Sequence, residues 1–162
     1  MNKKIINHKL TKEHKNTAYK LSEFKRLNIE EKRENYLALE VSMQKFIFKS
    51  KQTPTAKLLL IYLLSKIDFS YQHLYIHLPY SEVLEQTEIQ RAVVMRILKK
   101  LDKEKFLTLL SGKNKILNTE IKTYIFKQPQ KFDLSKNHNQ TNLVDMTPFF
   151  TKFFEVQNDA SL

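Results

Sequence analysis

The sequence predicts a mainly α-helical fold with a small β-hairpin, and three observations carry that expectation. Glycine occurs once among 162 residues, at Gly112. Tight β turns need positive-φ positions, which glycine fills at least cost, so such a chain has few tight hairpins. Apolar Val94, Ile97, Leu98 and Leu101 recur at i, i+3, i+4 and i+7, the spacing of a helix with one buried face. From Thr53 to Phe126 the order reads helix, short strand, helix, turn, basic helix, then two apolar runs about the glycine. That order predicts a winged helix-turn-helix with an N-terminal arm and a C-terminal helix.

Three segments are expected. Residues 1–34 form a basic N-terminal arm, partly disordered; 35–128 form the winged helix-turn-helix domain; 129–162 form a linker and a C-terminal aromatic helix. The arm carries ten Lys or Arg and five Glu. Residues 1–15 are expected to be disordered. Tyr19, Leu21, Phe24 and Leu27 are too loosely spaced to choose between a short helix and an irregular arm. The arm is either a solvated tail or a DNA contact.

Residues 35–49 alternate at Leu37, Leu39, Val41 and Met43, which favours a strand entering a short helix. Tyr36, Glu40, Met43 and Phe46-Ile47 also permit a helix. Thr53-Pro54 starts the next helix, with Thr as N-cap and Pro at the first helical position. Leu58 to Leu64 is apolar throughout, so this helix should sit deep in the core. Leu74 to Leu78 reads as a strand, and Pro79 to Gln86 as a second helix. Thr87 fits an N-cap for the third helix, Gln90 to about Lys103, with Gln90 at the capping-box position. Ile89 and Val93 close the core near that turn.

Phe106–Leu110 and Ile116–Phe126 are expected as the two wing strands, the second of which either runs on or breaks at Asn118-Thr119. Ser111-Gly112-Lys113-Asn114 is the wing tip. Pro129 to Asn142 is polar without periodicity and reads as linker. Thr147-Pro148 starts a last helix, on which Phe149, Phe150, Phe153 and Phe154 form an aromatic stripe. That stripe either packs on its own domain or forms a partner or homodimer surface, since four exposed Phe would invite aggregation.

Charge narrows the partners. The net charge is +11 and the pI about 9.7, above what solubility needs and within the range of nucleic-acid binders. A membrane surface or a ribosome-like partner would fit the sign equally well. From Arg91 to Lys115 eight basic residues face only Asp102 and Glu104. Such a face gains affinity for duplex DNA through counterion release. Arg91 and Arg96 suit bidentate reading of guanine, and Gln90 suits adenine. Met95 lies on the same face. Lys99, Lys100, Lys103, Lys113 and Lys115 suit phosphates, with Asn114 beside them on the wing.

Other chemistry finds little support. Cysteine is absent, which removes disulfides, zinc-cysteine clusters and thiol catalysis. His73 and His77 have the i, i+4 spacing of a zinc pair, but their segment reads as a strand edge. No Gly-rich loop exists for a nucleotide. An enzyme is therefore not expected, nor is any cofactor or metal. The longest apolar run spans seven residues, far short of the roughly 18 of a membrane span. A soluble cytoplasmic protein is expected.

Tyr36 to Leu117 resembles the small winged-helix replication initiators of bacterial plasmids and phages, of the RepL type. The resemblance rests on YLALEVSMQKF, TPTAKLLLIYLLSKID, the segment ending ILKKLDKEKFLTLL, and a wing strand followed by Leu-Asn. Family members commonly continue Leu-Asn-Pro, where this chain has Thr119. The resemblance implies origin binding and recruitment of host replication proteins, without catalysis. The alternatives are a winged-helix transcriptional regulator, or a protein-interaction adaptor using the Phe stripe.

Overall fold

The structure, a computed structural model, describes residues 4–6, 11–31, 33–67, 74–110, 115–118, 120–121 and 141–160. It is mainly helical with a small three-stranded antiparallel sheet. In chain order the elements are β1 (Lys4–Ile6), α1 (Lys12–Glu31), α2 (Arg33–Lys49), α3 (Pro54–Lys66), β2 (Tyr75–Pro79) and α4 (Tyr80–Thr87). They continue with α5 (Arg91–Lys103), β3 (Thr108–Leu109), β4 (Lys115–Leu117), β5 (Thr141–Asp145) and α6 (Thr147–Ala160).

The arm differs from expectation. Helix α1 begins within the stretch read as disordered. Thr11 starts it, since its Oγ1 accepts from His14 N at 3.0 Å and its carbonyl from Lys15 N at 3.1 Å. Among the described side chains of α1 the buried ones are His14, Thr17, Ala18 and Leu21. They fall at i, i+3, i+4 and i+7, but two are polar, so a hydrophobic pattern does not reveal them. The strand expected to enter a short helix over 35–49 is also replaced, and the helical alternative is realised as α2. Met43 and Ile47 are buried on one helical face while Val41 stays exposed. The alternation was coincidental, and burial at i and i+4 decides the conformation.

Helix α3 matches its reading. Thr53 accepts from Ala56 N at 3.2 Å, and Leu59, Leu60 and Leu63 have no solvent exposure. Strand β2 and helix α4 also lie where expected. Thr87, however, ends α4 and does not cap α5. Its hydroxyl donates to Val83 O at 2.7 Å. Glu88 closes α4 in the left-handed region, φ 61°, with its N–H on Leu84 O.

The largest correction concerns the sheet. Its strand order is β2-β5-β3. β5 lies in the centre, antiparallel to both neighbours, with Tyr75 opposite Asp145 and Leu109 opposite Val144. Among the described residues the two expected wing strands do not pair with each other. The first pairs with β5, and β4 runs parallel to β1, with Ile116 opposite Ile5. β4 stops at Leu117, so the break at Asn118 is the alternative realised. Thr141 and Asn142, read as linker, are buried in the central strand. Asn142 Oδ1 accepts from the Tyr80 hydroxyl there, whereas Thr141 Oγ1 and Asn142 Nδ2 make no hydrogen bond among the described residues. Residues 129–140 lie outside the described residues.

Helix α6 returns the chain to its beginning. Phe149, Phe150 and Phe153 have no exposure. Phe46 of α2 meets Phe149 and Phe153 edge-on, at centroid distances of 5.3 and 5.8 Å. One core cluster collects side chains from α1, α2, α3, β2, α4, α5, β5 and α6. The aromatic stripe is therefore consumed inside this chain, and Phe154 alone of the four is half-buried. Its reading as a partner surface is corrected on that ground, because fully buried rings have no face left to offer.

Candidate nucleic-acid interface

The candidate interface is the exposed side of α5. Val94, Ile97, Leu98 and Leu101 anchor the opposite side in the core, and Ile89 is buried at the turn. Four apolar anchors over two turns fix the helix about its own axis. Arg91, Met95, Arg96, Lys99, Lys100 and Lys103 are thereby all exposed. Ala92 is exposed among them, at the N-terminal end. Sequence reasoning overlooked it, although its spacing of four from Arg96 puts it on the basic face. A methyl group there suits contact with a thymine methyl.

The helix begins without a side-chain cap. Gln90 is the N-cap, with φ −68° and ψ 149°, and its side chain makes no capping bond. No acidic residue lies in the first turn. The positive end of the helix and Arg91 therefore reinforce each other, which favours an anion at that end. Arg91 Cζ lies 5.0 Å from the centroid of the Tyr80 ring. Tyr80 in turn donates its hydroxyl to Asn142 Oδ1 at 3.1 Å.

Four cations farther along the face have no carboxylate beside them: among the described residues no Asp or Glu lies within 4.0 Å of Arg96, Lys99, Lys100 or Lys103. Acidic groups sit elsewhere. Glu82 of α4 pairs with Lys66 of α3. Glu104, at the far end of α5, accepts from Gln52 Nε2, and its carbonyl accepts from Lys152 Nζ at 2.9 Å. The exposed side of α5 is thus positive along its length, and its C-cap Glu104 is tied to the α2–α3 turn and to α6.

The α5 C-terminus is a Schellman turn. Phe106 N donates to Leu101 O at 2.9 Å and Lys105 N to Asp102 O at 3.0 Å. Lys105 holds the left-handed position, φ 60°, usually given to glycine. The turn aims the chain directly into β3, which sets the sheet beside the basic helix.

The wing residues divide. Lys113 and Asn114 lie outside the described residues. Lys115 is in β4, opposite Lys4 of β1. His77 is half-buried on β2, and burial lowers its pKa below the ordinary value of 6.5. Among the described residues no helix is long and apolar enough to cross a membrane. Comparison with protein-family models, with curated proteins and with solved structures gives no match.

Proposed function

We propose that this chain is a non-catalytic, sequence-specific binder of double-stranded DNA, built as a winged helix-turn-helix with α5 as its recognition helix. The observation that carries the reading is the face of α5. Five cations are exposed there, with only the half-buried Asp102 among them, opposite an apolar, fully anchored side. The sheet supports the same reading. Order β2-β5-β3 behind α3, α4 and α5 matches a winged helix whose wing lies between β3 and β5 in the chain. On that reading the wing falls between β3 and β5 in the chain and is not a hairpin closed by β3 and β4.

The role we propose is origin binding in the replication of a plasmid or phage, with host replication proteins as further partners. That role rests on the resemblance of Tyr36 to Leu117 to RepL-type initiators. A transcriptional regulator shares the same DNA chemistry. The adaptor reading loses its motive, because the Phe stripe it needed lies in the core.

Selection of bound sequences from random duplexes, followed by salt titration, tests the proposal. About six phosphate contacts give a log–log salt slope near −5. A slope near zero with no enriched sequence would remove the DNA reading. Enrichment of a site found repeated at a plasmid origin supports initiation; a single site overlapping a promoter supports regulation.

A further inference from the structure

We infer that Tyr80 is a positioning residue for base reading: its ring holds the Arg91 guanidinium at the head of α5, and Asn142 holds the ring. The inference rests on the DNA reading above. It assigns work to two residues, Tyr80 and Asn142, that neither charge nor periodicity points to.

Tyr80 is the first residue of α4 and Arg91 the first residue of α5. Ten residues of chain separate two side chains that meet in space, and the turn around Glu88 brings them together. Tyr80 is 6% exposed and Asn142 3%. The ring is therefore fixed at both ends. Its backbone belongs to α4, and its hydroxyl donates to Asn142 Oδ1 on the central strand β5. Arg91 is exposed, with its Cζ 5.0 Å from the ring centroid.

This geometry has a consequence for recognition. A guanidinium stacked on an aromatic ring uses its face, whereas its N–H donors lie in its plane and point edgewise. Guanine is read through that edge, by paired donors to O6 and N7. Contact with the ring therefore restrains the side chain and does not itself use its N–H donors. An arginine on an exposed helix end otherwise loses substantial rotamer freedom on binding. Tyr80 removes part of that loss in advance. Asn142 belongs to the central strand, so β5 and the recognition helix share one side-chain path, β5 to α4 to α5.

The test uses the full chain, its selected duplex and a scrambled duplex of equal length. Tyr80→Met fills the buried space but removes the ring. It should weaken the selected duplex by about twofold to fivefold and leave the scrambled duplex unchanged. Combined with Arg91→Ala, it should add nothing to the loss from Arg91→Ala alone, because the two residues act as one unit. A purely structural Tyr80 predicts the opposite: both duplexes weakened alike, and losses that add. That outcome overturns the inference. Should Tyr80→Met fail to fold, Tyr80→Phe keeps the ring and removes only the bond to Asn142. The Nε–Hε order parameter of Arg91 should then fall in the free protein, and an unchanged value overturns the inference. Wild-type protein that binds no duplex removes the DNA reading and this inference together; wild-type binding with additive losses removes the inference alone.

Discussion

His14 Nδ1 lies 2.9 Å from the hydroxyl of Thr147, joining the first turn of α1 to the first residue of α6. The bond has a direction. Thr147 Oγ1 already donates to Asp145 Oδ1 at 2.6 Å, so it accepts from His14, whose proton sits on Nδ1. Asp145 Oδ1 also accepts from Thr147 N at 2.9 Å. All three residues are buried, and His14 stacks on Tyr75 at 5.0 Å. A chain of polar groups in the interior ties the two ends of the molecule to the edge of its central strand.

Breaking that chain should be costly. Thr147→Val removes the hydroxyl at nearly constant volume and strips buried His14 and Asp145 of a shared partner. Loss of stability should be about 1–3 kcal/mol, read by urea denaturation. Thr147→Ser, which restores the hydroxyl, should recover most of it. Equal midpoints for Thr147→Val and wild type would show that the bond contributes nothing.

The aromatic helix should behave as core. Phe153→Ala is expected to cost about 3–5 kcal/mol with no change in sedimenting mass, since the ring is buried within one chain. A dimer that dissociates on this substitution would return the stripe to an interface.

Stability should depend on pH through His77. Burial disfavours its charged form, so its folded pKa lies below the unfolded value of 6.5. Between the two values the unfolded chain binds more protons, and stability rises with pH. Stability is therefore undiminished above pH 6.5 and falls as the pH drops through the folded value. His77→Gln should flatten the denaturation midpoint over that acidic window relative to wild type. Parallel curves for the two proteins would assign the pH dependence to other groups.

Lys105→Gly should stabilise the fold. A left-handed conformation costs a side-chain-bearing residue roughly 1–2 kcal/mol, and glycine's extra freedom when unfolded returns part of that. A gain of about 0.5–1 kcal/mol is expected. A lower melting temperature would mean that the Lys105 side chain itself contributes.

On DNA, Arg96 and Lys103 should part ways. Arg96→Ala should cost about 1–3 kcal/mol on the selected site and relax one base position. Lys103→Ala should weaken selected and scrambled duplexes equally and reduce the salt slope by about 1. Unaltered base preference after Arg96→Ala would move the reading role to another residue of the face.

Local features were legible in the residues alone. Thr53-Pro54 announces α3 because an N-cap hydroxyl and a ring-locked φ act within one turn. The buried side of α5 follows from a 3.6-residue period that needs no partner to be recognised. Its exposed cations follow from the same period. The Phe stripe had to be buried, because leaving it in water is costly.

Where those rings are buried was decided by the tertiary structure. Only packing on Phe46 and α1 shows that they lie inside one chain. The sequence left helix α1 undecided against an irregular arm because His14 and Thr17 occupy core positions, and a polar residue reads as buried only once its partner is known. Strand β5 escaped notice for the same reason. Thr141 and Asn142 look like linker until pairing with β2 and β3 buries the strand and the distant Tyr80 hydroxyl donates to Asn142. The sheet order followed suit. Strand pairing is a non-local choice made by hydrogen bonds between distant segments, so nearness in sequence favoured a hairpin about Gly112, and the fold instead paired β3 with β5.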